Sequence, residues 1–527
     1  MIKRGRAMFL NTILLTATAF LMRTVGMTFQ VYLAGRIGPA GIGLFQLIMS
    51  VSMLFTTFAL SGIRFATTRL VSEELGRGAT GCVKPAVRRC LIYAAGFGSA
   101  ACIALWFGAQ YIGGTLIGDD RTVLSLRILS VSLPAFSMSS VLAGYFTAVS
   151  RVIKTSAVKI IEQVIRISFV VAALSMGVNY SLETACAIIV AGGIVGETCA
   201  FLFLYALYVR DVRRYPKRGA VTDDLTKRML NISLPLAFSA YARTALSTVQ
   251  NLLVPHGFRR SGATAEQALA DYGIVTGMVF PIITFPSAFF YSLAELMVPE
   301  LTEAQVRREK DVISALASRT IRMCLVFSIG MAAILFRFSG ELGLAIYGNT
   351  DVGRYIRILS LLMPIMYLDS ITDGMLRGLG QQIYSMKINI LDSLVSVVLV
   401  YLLLPRFAVM GYLFMIAFTE LFNFALSVRR LAQITELKLR AASVVKAVFC
   451  AAGSVTAAVF LLRIAGLPLE PGGASVTLHV VLSVLIYVAL LVVTAAIDGQ
   501  DIAWVKRFFE NETKVTKTTL NRCEKQI

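Results

Sequence analysis

Two arginines stand at matching places in two long apolar segments, and an arginine in such a setting is well suited to hold a phosphate. Residues 9–30 read FLNTILLTATAFLMRTVGMTFQ and residues 229–250 read MLNISLPLAFSAYARTALSTVQ. Set 220 positions apart, they share Leu10/Leu230, Asn11/Asn231, Leu14/Leu234, Ala17/Ala237, Arg23/Arg243, Thr24/Thr244, Thr28/Thr248 and Gln30/Gln250. A guanidinium at bilayer depth costs about 2.5–3.5 kcal/mol even on a lenient insertion scale. A chain that places one in each of two duplicated helices is expected to line a wet, cationic cavity and to carry negatively charged cargo. Guanidinium offers phosphate oxygens a planar fork of donors. Gln30 and Gln250 lie seven residues beyond their arginines, on the same helical stripe, where they would meet sugar or diphosphate oxygens. Arg64, near the end of the second apolar segment, is the third expected ligand. The competing role for all of these side chains is hydrogen bonding between helices.

A second set of charges suggests gating and coupling. Arg69 falls at the repeat position of Glu295, so a salt bridge between them would close the cavity on the cytoplasmic side. Asn389, Asp392 and Asp369, with Asp373 nearby, offer hard oxygens for Na⁺ or a proton. Glu162 and Arg166 are spaced for an intrahelical ion pair. No enzyme motif is present: there is neither a Walker A loop nor an HExxH helix. The two histidines are too few for a zinc or Ser–His site, and the eight cysteines show no paired spacing. The chain is therefore expected to be no enzyme, with no metal, no cofactor and no ATP coupling of its own.

These residues need elements to hold them, and composition says which. Of the 527 residues 57% are apolar and 15% charged, and the mean hydropathy is +0.75. A soluble surface cannot be built from such a chain. Stretches long enough to cross ~30 Å of hydrocarbon recur throughout. Fourteen are expected, at about 8–33, 41–67, 89–113, 123–149, 156–177, 184–209, 229–254, 268–294, 312–337, 355–376, 385–405, 410–428, 443–465 and 476–497. A net charge of +20 invites a nucleic-acid reading, but its distribution argues against one. With alternate loops assigned to opposite sides, one side collects 36 of the 50 Lys and Arg and the other 10, four lying within spans. That bias places both termini in the cytoplasm.

The duplication extends beyond the first pair. Arg127-Ile-Leu-Ser-Val-Ser-Leu-Pro134 returns 230 positions later as Arg357-Ile-Leu-Ser-Leu-Leu-Met-Pro364. Ser61/Ser287, Leu70/Leu296, Glu74/Glu300 and Leu75/Leu301 align at an offset of 226. The sequence thus predicts an all-α polytopic membrane protein with two parallel six-helix repeats and two appended helices. An N-lobe spans residues 1–210, a basic cytoplasmic linker 211–228, a C-lobe 229–430 and the last two helices 431–498. Residues 499–527 form a basic tail, with an amphipathic segment expected around Trp504, Phe508 and Phe509.

Within this frame, Arg23-Thr-Val-Gly26, Ala34-Gly-Arg-Ile-Gly38-Pro-Ala-Gly41-Ile-Gly43-Leu-Phe-Gln46, Leu60-Ser-Gly62-Ile and Arg69-Leu-Val-Ser-Glu73-Glu74-Leu carry a resemblance. The chain resembles the polysaccharide flippases of the multidrug/oligosaccharidyl-lipid/polysaccharide exporter superfamily, in particular the stage V sporulation protein B group, relatives of the lipid II flippases. The resemblance implies two six-helix lobes around a cavity. It also implies movement of a lipid-linked oligosaccharide across the plasma membrane by alternating access, in contact with membrane lipids and as a monomer. Arg23 matches the arginine of the family's first-helix motif, whereas the Arg-Asp pair that follows it in lipid II flippases is Phe29-Gln30 here. The alternative within the same superfamily is a cation-coupled multidrug exporter.

Overall fold

The described residues of the apolar stretches are mostly helical, and glycine and proline mark many of the places where the helices break. The computed structural model describes residues 2–496 apart from 78–79, 150, 177–179, 214, 216–224, 288–296, 299, 438–440, 468 and 471, with backbone alone for residues 2–19, 152 and 441. The helices are α1 (Ile2–Leu60), α2 (Ile63–Gly76), α3 (Val83–Tyr111), α4 (Thr122–Ser130), α5 (Leu133–Ala148), α6 (Val152–Ser175), α7 (Leu182–Val212) and α8 (Leu225–Arg260). They continue as α9 (Ala265–Gly273), α10 (Phe280–Thr284), α11 (Lys310–Arg337), α12 (Ser339–Tyr347), α13 (Thr350–Ser360) and α14 (Met363–Gly378). The last three are α15 (Gln382–Ile434), α16 (Ala441–Ile464) and α17 (Gly473–Val493). No strand occurs among the described residues. The expected amphipathic segment near Trp504 lies outside them.

Among the described residues eight helical runs are long and apolar enough to cross a membrane, or ten if each bent pair counts as one span. The sequence expectation of fourteen differs for physical reasons. The runs Phe20–Gly76 and Gln382–Ile434 hold 57 and 53 residues, about 80–85 Å at the α-helical rise. Each is long enough for two spans. The first breaks at Gly38 (φ 69°), where Pro39 also removes a backbone donor, and the second at Ala408 (φ 48°) just past Pro405. Helix α6 carries Lys154, Lys159, Glu162 and Arg166, while α8 is diluted by Asn231, Ser233, Arg243, Gln250 and Asn251. The repeated Arg…Pro text bends the chain in both copies: α4 meets α5 at 45° and α13 meets α14 at 58°.

By contact the chain forms two compact units. The first unit comprises Arg36–Gly273 with Val400–Pro405. Its core gathers Ile63, Leu70, Val87, Leu142, Tyr145 and Phe146 with Met229 of α8. Asp211, 2% exposed, draws α5, α6 and α7 together by accepting from Tyr145 Oη at 3.0 Å and pairing with Arg151 and Lys154. The second unit comprises residues up to Gly35, Ile274–Leu399 and those from Arg406 onward. There α11 packs on α16 and α17, and Tyr487 Oη donates to Val326 O at 2.5 Å. The grouping exchanges the leading helices of the repeats: the start of α1 belongs with the second repeat's helices, and α8 with the first's.

Candidate functional site

In the first unit, α8 runs antiparallel along the second half of α1 and along α2. Asn251 Nδ2 donates to Ser50 Oγ at 3.1 Å, and Thr248 Oγ1 to Ser50 O at 3.1 Å. Thr244 meets Thr57 at 3.3 Å, and Tyr241 Oη bonds Ser61 Oγ. At the far end Arg228 pairs with Glu73 and, at 2.8 Å, with Glu74. Ser61 (φ 41°) and Gly62 (φ 69°) turn the chain between α1 and α2. Gly62 is required there: a Cβ would lie 2.6 Å from Ser233 O on α8. Tyr93 Oη adds a bond to Ser61 O at 3.4 Å, so two tyrosines strap this turn.

Arg64 follows Ser61 by three residues and Arg243 follows Tyr241 by two. Both are exposed, and neither has a hydrogen bond or ion pair from its side chain among the described residues. Each is an unspent guanidinium fork that can grip a phosphate group. Gln250 is half-buried on α8, next to Asn251 in sequence. Arg69 pairs with Glu73 at 2.9 Å, one turn along its own helix. Its expected gate partner, Glu295, lies outside the described residues.

In the second unit the matching side chains have structural partners. Gln30 Nε2 donates to Gly277 O at 2.7 Å. Helix continuity would ask residue 281 to serve that carbonyl, but Pro281 has no N–H, and the chain forms a π turn over Ile274–Val279. Arg23 Nη2 donates to Thr284 O and lies 3.5 Å from Ser287 Oγ. Thr284 and Ser287 are the repeat mates of Phe58 and Ser61. One acceptor pair, a serine hydroxyl and the carbonyl three residues earlier, is therefore held by Arg23 in one unit and by Tyr241 in the other. Tyr241 takes that place two residues before Arg243, where the first repeat has Leu21. Sequence reasoning singled out Arg243 and missed Tyr241; the one signal is this Leu-to-Tyr difference between the repeats.

The expected cation site also gathers in the second unit. Asn423 Nδ2 donates to Asn389 Oδ1 at 3.3 Å, joining the two halves of α15. Asp369 of α14 lies within electrostatic reach of Asp392, Asp373 and Glu420. The Oδ1 atoms of Asp369 and Asp392 have no hydrogen-bond partner among the described residues. No three His, Cys, Asp or Glu converge closely enough there to chelate a metal ion. The counterpart in the first unit is balanced: Glu197 faces Glu162 and Lys159, and Arg166 interacts with Glu162 and donates to Gln163.

Comparison with known proteins agrees with this architecture. A family model described as polysaccharide biosynthesis protein matches residues 9–305, and the MatE model matches 235–402. Stage V sporulation protein B of Bacillus subtilis (strain 168) is 24% identical over 408 residues, 76% of this chain and 79% of the relative. Lipid II flippase MurJ of the same organism is 21% identical over 418 residues, 74% and 76% of the two chains. A solved structure of lipid II flippase MurJ in an inward closed conformation superposes with a TM-score of 0.67 at 13% identity, covering 92% of this chain and 98% of the other. The protein is thus a multi-pass membrane transporter by its apolar helices and its kinship, one relative being named a lipid II flippase. With more than half of its length matched by that family model, the chain belongs to the polysaccharide biosynthesis protein family of the multidrug/oligosaccharidyl-lipid/polysaccharide exporter superfamily.

Proposed function

We propose that the chain is a flippase that moves a polyprenyl-diphosphate-linked saccharide, a precursor of cell wall, spore cortex or polysaccharide, across the plasma membrane. It does so by alternating access without ATP. The observation that carries this reading is the pair of exposed, unpartnered arginines, Arg64 and Arg243, beside the Tyr241–Ser61 strap. Arg23 contributes through its hold on Thr284 O and is released to cargo only when that contact opens. Gln30 and Gln250 contact sugar or diphosphate oxygens in the same step. The relatives named as a lipid II flippase and a sporulation protein support lipid-linked cargo of this class. Both termini face the cytoplasm, following the positive-inside bias, and Asp369, Asp392 and Asn389 bind the coupling Na⁺ or proton.

The test is transport in a strain that depends on this gene. Arg64→Ala and Arg243→Ala should each reduce flipping at least about tenfold, the loss expected when a charge-assisted contact of ~1.5–3 kcal/mol disappears. Expression and thermal stability should stay at the parent level. Lysine at either place should rescue in part, because a point charge replaces a fork. Full activity in the Arg64→Ala, Arg243→Ala double variant would remove the arginine site from the mechanism. The MatE match over 235–402 keeps a cation-coupled drug exporter as the second reading.

A further inference from the structure

A cavity of about 470 Å³ opens in the first unit at the end of α8 remote from Arg228, among Leu253, His256, Arg259, Arg260, Tyr401 and Pro405. It exists because Gly257 lets the Val400–Pro405 segment come close: a Cβ there would lie 2.7 Å from Leu404 Cβ. Three cationic or ionisable side chains border it, and each is held without an acid. Arg260 stacks its guanidinium over the Tyr401 ring at 5.4 Å, an attraction that leaves its edge donors free. Arg259 Nε is buried with no hydrogen-bond partner among the described residues. His256 Nε2 lies 3.0 Å from Leu116 O, so that nitrogen carries the proton and Nδ1 remains for another partner. Arg259 and His256 both approach Gly118 (φ 72°), whose missing Cβ position lies 3.3 Å from Arg259 Nη1 and 3.4 Å from His256 Cε1, so the two basic groups lie close together.

The acid nearest in sequence is already committed. Asp119 accepts a fork from Arg121, at 2.9 Å to Nε and 2.6 Å to Nη2, and this bond raises the Arg121 pKa further above its usual value. A buried guanidinium donor left without an acceptor costs roughly 1–3 kcal/mol, so this arrangement calls for an anion. We propose that the cavity is a phosphate-binding site, separate from the Arg64–Arg243 pair, that takes a phosphate or diphosphate group through Arg259, Arg260 and His256. Its apolar side, Leu253, Tyr401 and Pro405, suits a phosphate attached to an amphiphile. The same oxyanion chemistry arises from a lipid head group at the membrane interface or from free phosphate in solution. With both termini in the cytoplasm as proposed above, this end of α8 faces outward; binding itself does not rest on that topology.

The test uses the purified full-length chain in phosphatidylcholine nanodiscs, titrated in parallel with sodium diphosphate and with dihexanoyl-phosphatidylglycerol. Binding is read by calorimetry in the Arg64→Gln, Arg243→Gln background, so that the proposed cargo arginines do not contribute to the signal. Saturable binding should remain in that background and weaken about tenfold or more when Arg259→Gln, Arg260→Gln is added, whether or not the flippase reading holds. A response to phosphatidylglycerol alone assigns a lipid head group, and a response to diphosphate assigns a free anion. Where the double variant fails to fold, Arg260→Gln alone, on an exposed side chain, should still weaken binding about threefold. Absence of binding by the parent chain in both arms overturns the proposal. So does binding undiminished in the Arg259 and Arg260 variants.

Discussion

A single residue separates the fates of the two duplicated arginines. Arg23 is spent on Thr284 O, which Ser287 Oγ also serves at 2.7 Å, whereas Tyr241 serves the equivalent acceptors Ser61 Oγ and Phe58 O and leaves Arg243 unengaged among the described residues. Tyr241→Phe should therefore act on transport through Arg243. With its hydroxyl gone, the vacated acceptors attract the neighbouring guanidinium, as their repeat mates attract Arg23. Flipping should fall about tenfold, while stability changes by no more than the ~0.5–1.5 kcal/mol of an ordinary hydrogen bond. Tyr241→Phe with parent-level transport and an Arg243 still accessible to a guanidine-directed reagent would count against this division of labour. Much of the arginine set was legible from sequence, because arginine in apolar text is costly and its repetition is visible. The partners were not legible: which carbonyl Gln30 of α1 reaches depends on Pro281 of α10, far away in sequence, and which group serves Ser61 and Phe58 depends on one tyrosine.

At the scale of elements, close approach decides the packing. Gly43 of α1 and Gly273 at the end of α9 touch backbone to backbone. A Cβ on Gly43 would lie 1.9 Å from Leu269 O, and one on Gly273 2.2 Å from Pro39 O. Without a hydrophobic driving force between helices in lipid, such small-residue contacts supply much of the association. Gly43→Ala should lower stability by about 1–3 kcal/mol, the usual cost of overpacking, visible as a lower melting temperature in detergent. Gly96→Ala, with open space around its α-carbon, is the control and should melt as the parent does. The helices themselves were readable from hydropathy, and the bends from Pro134 and Pro364. Hydropathy also splits α1 into two spans, and the backbone leaves the helical region between them at Gly38 (φ 69°). One feature was hidden. Repeat similarity marks α8 as the first helix of a second copy, yet its side chains bond to α1 and α2, a choice made by tertiary packing at Ser50, Thr57 and Ser61.

Across the molecule the two copies have diverged in charge, and this sets what the protein can carry and what can drive it. In the first unit the acids of α6 and α7 stand beside Lys159 and Arg166; in the second, the groups that bear on Asp369 are the acids Glu420, Asp373 and Asp392. Asp373 pairs with Arg377 at 3.1 Å, whereas Asp369 and Asp392 each keep an oxygen without a hydrogen-bond partner among the described residues. Such carboxylates in apolar helices are expensive unless they take up cations, which is the ground for proposing that coupling resides in the second unit. Asp392→Asn and Asp369→Asn should each slow transport and remove its dependence on an imposed Na⁺ or proton gradient, with cargo binding retained. The cargo itself should follow the arginines. Arg64 and Arg243 stand on helices whose membrane-embedded parts bear no acid close to them, and such a surface attracts anionic head groups and repels organic cations. Purified protein should be stabilised by an undecaprenyl-diphosphate saccharide, by about 2.7 kcal/mol at 100-fold excess over its dissociation constant. Ethidium should give no such shift. A drug exporter would behave in the opposite way: in a drug-sensitive host it would confer resistance to ethidium-like cations, and Asp392→Asn would abolish that resistance. That outcome, with no stabilisation by the lipid-linked saccharide, would replace the flippase by a cation exporter on the same fold.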